Sequence, residues 1–145
     1  REIIESAYPE KISLISDVLE VKIKNGKITL YPGNNSLDDN ESSVCVLFQA
    51  ENCDILITGD RSDFGERILL KAGLPDLEVL IVGHHGSKYS TCEELLTATA
   101  PDAAVISVGA DNGYGHPTRE VLDRLEAAGC AIFRTDLHGT IIYRG

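Results

Sequence analysis

Leu19-Glu20-Val21-Lys22-Ile23-Lys24 alternates apolar and polar residues, Asn25-Gly26 follows, and Lys27-Ile28-Thr29-Leu30-Tyr31 alternates again. Period-two patterning on both sides of Asn-Gly predicts a β-hairpin, with Asn-Gly supplying the φ > 0 positions of a type I′ turn. Pro32 to Ser42 is polar and rich in Asn, Asp, Gly and Ser, so it reads as a loop. Val44 to Ala50 and Cys53 to Thr58 form a second strand pair around Glu51-Asn52. Their nearly continuous apolar character predicts burial on both faces.

The pattern then changes period. Ser62-Asp63-Phe64-Gly65-Glu66 opens a helix that reaches about Lys71, and Ala72-Gly73-Leu74-Pro75 stops it. Val79 to Val82 is a strand, and Ser90-Thr91-Cys92-Glu93 caps a short helix by the Ser-x-x-Glu pattern as far as about Ala98. Ala103 to Ser107 is another strand. Pro117-Thr118-Arg119-Glu120 starts a helix through Ala128 that Gly129 ends. Ala131 to Arg134 and Thr140 to Tyr143 are the last strands, a hairpin turning at Asp136-Leu137-His138-Gly139. Strands first, then alternating helices and strands, give an α/β (α+β) class with helices covering one face of a mixed sheet. No repeat, low-complexity tract or linker divides the chain, so residues 1–145 read as one domain, with 1–17 as a lead-in segment.

Composition adds limits. A chain of 145 residues, 43% apolar and 25% charged, is an ordinary globular domain with room for a core. No apolar run approaches the ~18–20 residues of a membrane span, so no membrane insertion by this segment is expected. No signal or transit segment opens the chain. It begins at Arg1 rather than Met, which reads as a processed product or a piece of something longer, with its localisation signals outside it. The net charge of −10 argues against general nucleic-acid binding through Lys and Arg, but bound dications reverse the local sign at a phosphodiesterase site. Cys45, Cys53, Cys92 and Cys130 include no CxxC pair and read as free thiols, most of them buried.

Two apolar runs end in chemistry. Ile55-Leu56-Ile57-Thr58 leads into Gly59-Asp60, and Val79-Leu80-Ile81-Val82 leads into Gly83-His84-His85-Gly86-Ser87. An aspartate and a histidine delivered at the carboxyl ends of two buried strands suit Zn²⁺, Mn²⁺ or Fe with water as a further ligand. Asp60 is then a metal-bridging carboxylate, or else a helix N-cap or turn aspartate. On an extended segment His84 and His85 point to opposite sides, so at most one of them is a metal ligand. Gly86-Ser87-Lys88 offers N–H, hydroxyl and ammonium to an anion, without a P-loop frame. His116 lies in the loop Asn112-Gly113-Tyr114-Gly115-His116-Pro117-Thr118, ahead of a helix, where it can meet an anionic substrate. Asp136 can orient a histidine or simply turn the chain. A serine hydrolase using Ser87 or Ser107 is disfavoured because no GxSxG elbow is present.

Together these segments resemble the metallo-β-lactamase superfamily, and most closely the soluble domain of ComEC-type DNA-uptake proteins of bacteria. The resemblance rests on Asn40-Glu41-Ser42-Ser43-Val44, Leu56-Ile57-Thr58-Gly59-Asp60, His84-His85-Gly86-Ser87, Asn112-Gly113-Tyr114-Gly115-His116-Pro117 and Arg134-Thr135-Asp136-Leu137-His138-Gly139-Thr140, in that order. It spans about residues 18–143. It implies that Asp60 is the bridging aspartate and that the His84-His85 pair holds the last metal-ligand histidine, with His84 favoured. It further implies that Asn40 takes a position where many members place another histidine ligand, so that Asn40 supports a weaker second metal position or touches substrate. Ser87, Lys88, His116 and Asp136 match other positions in and around the site.

The superfamily's His-x-His-x-Asp-His motif is absent, since His84, His85, His116 and His138 are the only histidines. The resemblance therefore implies the carboxyl-terminal half of an αββα sandwich. Its expected partner is the missing amino-terminal half of the same fold. The expected activity is Zn²⁺- or Mn²⁺-dependent hydrolysis of a phosphodiester, foremost single-stranded DNA, in an extracytoplasmic domain of a membrane-attached bacterial protein. The chain alone is expected to bind metal weakly, to show little or no catalysis, and to pair through its uncovered apolar face as a homodimer. Two rivals stand beside this reading: a non-catalytic remnant or interaction domain of the same fold, and a related soluble hydrolase of small phosphoesters, lipid head groups or lactones.

Overall fold

The structure is a computed structural model that describes residues 15–33 and 39–144. The start of the lead-in segment and the centre of the loop after Pro32 lie outside the described residues. One seven-stranded sheet organises the rest: β1 (Leu19–Ile23), β2 (Gly26–Tyr31), β3 (Cys45–Ala50), β4 (Cys53–Ile57), β5 (Val79–Ile81), β6 (Ala103–Ile106) and β7 (Ala131–Arg134). Spatial order follows chain order. The pairings β1–β2, β2–β3 and β3–β4 are antiparallel, and β4–β5, β5–β6 and β6–β7 are parallel.

That topology decides where the helices go. Each parallel step needs a crossover, and crossovers are right-handed. With strands added always in one direction, every crossover helix falls on the same face of the sheet. These helices are α1 (Asp63–Leu69), α2 (Glu93–Thr99) and α3 (Arg119–Ala127), and a short α4 (Thr135–His138) follows β7. Leu47, Leu56, Leu80, Ala104 and Ile106 of the sheet pack with Leu69, Leu95, Leu96, Val121 and Leu125 of the helices in one core. Burying a side chain of this size stabilises by about 1.5–3 kcal/mol.

Helices over one face of a mixed α/β sheet agree with the sequence expectation, but several details differ. β3 and β4 are buried on one face only. Leu47 and Leu56 are buried under the helices, while Val44 and Ile57 point the other way and are 41% and 40% exposed. The apolar run is continuous because the second face is apolar yet carries no helix. The turn of the first hairpin is Lys24-Asn25, since Ile23 pairs with Gly26. Neither Asn25 nor Gly26 adopts a positive φ. Gly26 lies in β2, where a Cβ would strike the backbone carbonyl of Gln49, so close strand approach and not turn geometry requires this glycine.

Ser90 does not cap α2. Its Oγ donates to the Gly83 carbonyl at 2.8 Å, and the N-cap position is Cys92. The final hairpin does not form either. Thr135–His138 is a helical turn, Gly139 redirects the chain at φ 67, and residues 140–144 join no strand. The Thr135 hydroxyl holds that turn down by donating to the Val108 carbonyl at 2.8 Å. The four cysteines are free, as expected, and burial raises the Cys45 and Cys92 thiols to about 12.

Candidate functional site

Because β4, β5 and β6 run parallel, their carboxyl ends open on one edge of the sheet, the usual place for ligands in such folds. The loop after β4 carries Gly59-Asp60, and the loop after β5 carries His84-His85. They touch: the His84 N–H donates to the Gly59 carbonyl at 2.9 Å. A third loop joins them. The Asp60 N–H donates to Ser43 Oγ at 3.3 Å, and Ser43 closes the 3-10 turn that starts at Asn40. Asn40, Asp60 and His84 are thus delivered by three loops in direct contact. Asp60 is not the helix cap, since Ser62 Oγ accepts the Phe64 N–H and performs that task.

Arg61, next to Asp60, is almost fully buried. Its Nε donates to the Ser43 carbonyl at 2.9 Å, and its Nη2 donates to the carbonyls of Tyr31, at 3.2 Å, and Pro32. A rigid guanidinium fork can serve acceptors on two segments at once. It fixes the backbone on which Asp60 stands.

The histidine pair is not extended. His84 and His85 have φ 47 and φ 54, both left-handed, within the tight turn Gly83–Gly86. Two consecutive non-glycine residues in this region cost about 1–2 kcal/mol each and persist only where surrounding contacts enforce them. Here the enforcing contacts are His84 N–H to Gly59, the Ser87 N–H to the His84 carbonyl at 3.0 Å, and Ser90 Oγ to Gly83. Opposite orientation of the two rings, expected for a strand, does not apply. The His84 ring meets the His116 ring edge-on at 5.7 Å, and His85 lines a cleft together with His116.

His85 Nδ1 lies 2.8 Å from the Ser107 carbonyl. A carbonyl only accepts, so Nδ1 carries the hydrogen in this contact. Burial holds His116 below the ordinary histidine range, and His84 and His85 add to the effect. Asn112 braces the loop before it: Nδ2 donates to the carbonyls of Gly109 and His116 at 3.0 and 2.7 Å, and Oδ1 accepts the His116 N–H at 3.0 Å. The cleft beside these groups has a volume of about 310 Å³.

The remaining predicted residues have other partners. Ser87 is buried, and its Oγ accepts the Tyr89 N–H at 3.3 Å. Lys88 Nζ stands 5.0 Å over the Tyr89 ring and borders a separate polar cleft with Arg67 and Arg124. Asp136 pairs with Arg134 through both oxygens, at 3.0 and 2.6 Å, which holds its carboxyl below the usual range.

Sequence reasoning missed Glu66. Its side chain is fully buried and accepts the N–H groups of Thr91 and Cys92 at 2.7 and 2.8 Å. It therefore caps α2 from another helix and holds down the segment that follows the histidine pair. Burial raises its carboxyl to about 7. One signal was available: Glu66 shares the i, i+3 apolar stripe of α1 with Leu69.

Among the described residues no group of three or more His, Cys, Asp or Glu side chains is placed to hold a metal ion. Asp60 with His84 or His85 is a partial donor set, short of the three protein ligands usual at a catalytic zinc. Nor is any described helix long and apolar enough to cross a membrane.

These features define a mixed α/β domain with a histidine- and aspartate-bearing site at the carboxyl edge of its parallel strands. No known protein-family profile matches the chain. It is 35% identical over 130 residues to ComE operon protein 3 of Bacillus subtilis (strain 168), an alignment covering 88% of this chain and 17% of that protein. It is 39% identical over 108 residues to Competence protein ComA of Neisseria gonorrhoeae, covering 73% and 16%. It is 38% identical over 103 residues to Recombination protein 2 of Haemophilus influenzae (strain ATCC 51907 / DSM 11121 / KW20 / Rd), covering 71% and 13%. The chain is thus homologous to a region of each of these three bacterial proteins, one of which is named a competence protein. It matches between 13% and 17% of the length of these relatives.

Proposed function

We propose that this chain is one layer of a metallo-β-lactamase-type hydrolase domain in a DNA-uptake protein, and that its carboxyl-edge site acts on a phosphodiester, foremost single-stranded DNA. The observation that carries the reading is the contact between the loops of Asp60 and His84, with both histidines held in left-handed backbone beside His116. Such enforced geometry is typical of sites with a chemical task. The likeness to a protein named for competence supports DNA uptake as the process.

Asp60 and His84 are the residues that would hold Zn²⁺ or Mn²⁺, with the remaining ligands coming from outside the described residues. A bound ion would supply hydroxide near neutral pH and offset charge on the phosphate. His85, oriented by Ser107, lines the cleft beside the site. His116, in ring contact with His84, is the group assigned in this reading to exchange a proton with substrate oxygens. Asn40 contacts substrate from the turn that Ser43 joins to Asp60, while Ser87, Lys88 and Asp136 shape its surroundings. In this reading the amino-terminal half of the sandwich covers the open sheet face. The domain is extracytoplasmic and attached to a membrane-embedded remainder. Isolated copies pair through the same face.

The test is cleavage of a single-stranded oligonucleotide by the full-length protein. Asp60→Asn and His84→Ala each abolish cleavage with little change in melting. Unchanged cleavage in both variants overturns the reading and leaves a non-catalytic domain of the same fold.

A further inference from the structure

Tyr114 is 86% exposed, more than any other large apolar or aromatic side chain among the described residues. An aromatic ring left in water costs free energy unless something uses it. Yet this ring is not loose. It stacks on His116 with centroids 6.0 Å apart and planes at 30°. The loop beneath it is braced by the three hydrogen bonds of the Asn112 side chain. One wall of the 310 Å³ cleft is Tyr114, and Val108 and Thr135 contribute to the others. His84 stands one further ring contact away, at 5.7 Å from His116.

We infer that Tyr114 is a stacking platform for one base of a single-stranded nucleic acid whose backbone passes His84 and His116. This deepens the phosphodiester reading and rests on it. Charge favours stacking as the source of affinity. A chain with net charge −10 draws little attraction for phosphates from its surface as a whole. Base–aromatic stacking works without net charge and tolerates any base sequence. The ring is pre-oriented by His116, so little freedom is lost when a base lands on it. Because the platform adjoins the histidine cluster, a stacked base would set the register of the neighbouring phosphate.

The test compares two probes of equal length and charge: a short oligothymidylate and the corresponding abasic oligonucleotide. Binding to the 145-residue chain is followed by the ring resonances of His84, His116 and Tyr114. The wild-type chain is expected to prefer the base-bearing probe by about five- to a hundredfold, the range of one stacked base. Tyr114→Ala abolishes that preference, Tyr114→Phe retains it, and Tyr89→Ala, at an exposed tyrosine that does not line the cleft, leaves it unchanged. Equal binding of the two probes to wild type overturns the stacking platform, as does a preference that survives Tyr114→Ala. In either case abasic binding at His84 and His116 leaves the phosphodiester reading standing. No binding of either probe also overturns the stacking platform, while cleavage by the full-length protein decides the phosphodiester reading separately.

Discussion

Gly86 and Pro117 approach more closely than any side chain on residue 86 would allow: a Cβ at Gly86 would stand 2.6 Å from the Cβ of Pro117. The Thr118 N–H donates to the Gly86 carbonyl at 2.9 Å in the same contact. Through it, the turn carrying His84 and His85 is pinned to the loop carrying His116. Gly86 also has φ +84, a region that L side chains avoid. Gly86→Ala is expected to cost roughly 2–4 kcal/mol, the left-handed penalty plus overpacking. Gly73→Ala is the matched control, with φ +73 and nothing within 4 Å of the new methyl. It is expected to cost only about 1–2 kcal/mol. Urea denaturation of both variants measures the difference, and equal losses would show that the Pro117 contact is not limiting.

Glu66 makes stability depend on pH. The group releases its proton near 4.5 when unfolded and near 7 when folded, because burial disfavours the charge more than two backbone N–H bonds favour it. Between those values the folded state keeps a proton that the unfolded chain has lost. This contribution therefore weakens as pH rises from 4.5 to about 7 and stays level above. The loss from this group is on the order of 3 kcal/mol. Glu66→Gln removes that slope. It also destabilises by about 1–3 kcal/mol, because an amide can accept from only one of the two N–H groups. Melting curves of wild type and variant at pH 5 and pH 8 check the sign. A wild type more stable at pH 8 in this comparison would refute it.

Arg61 joins three backbone carbonyls that lie far from it in sequence, those of Ser43, Tyr31 and Pro32. Arg61→Lys keeps the charge but loses the planar fork, so at least one carbonyl loses its partner. A loss of roughly 2–4 kcal/mol is expected, since a buried charge is left with poorer hydrogen bonding. Amide exchange should also quicken at Asp60, whose N–H bonds to Ser43 Oγ. Unchanged protection at Asp60 would mean that the guanidinium does not hold the site loop.

The order of strands and helices was legible because it is written in local pattern: period-two runs, apolar runs of strand length, and Ser62 before α1. The site was legible only as residues at strand ends, since Asp60 and His84 announce themselves by following apolar runs. Contacts between distant segments were not legible. Nothing near Gly86 in sequence reveals Pro117, and nothing near Glu66 reveals the N–H groups of Thr91 and Cys92. Ser90 satisfied a local capping rule, but the Gly83 carbonyl competed for its hydroxyl and won. The histidine pair likewise lost its strand geometry to bonds made by Gly59 and Ser87.

The face of the sheet without helices presents Val21, Ile57 and Phe133, which remain 42%, 40% and 39% exposed. The register sets them on one side with Ile28, Val46, Phe48, Ile55, Ile81 and Val105. A contiguous apolar surface of this kind is uncommon on a monomer in water. In the proposed reading the other sandwich layer covers it, so the isolated chain should find a substitute in a second copy. Sedimentation equilibrium is expected to show concentration-dependent self-association. The double variant Ile57→Lys, Phe133→Lys should shift the chain to monomer. Both side chains are already partly in water, so the folding cost of the pair should stay within about 1–2 kcal/mol. A wild-type chain that stays monomeric at high concentration would show that this face does not need a partner, and would remove the open-layer part of the proposal.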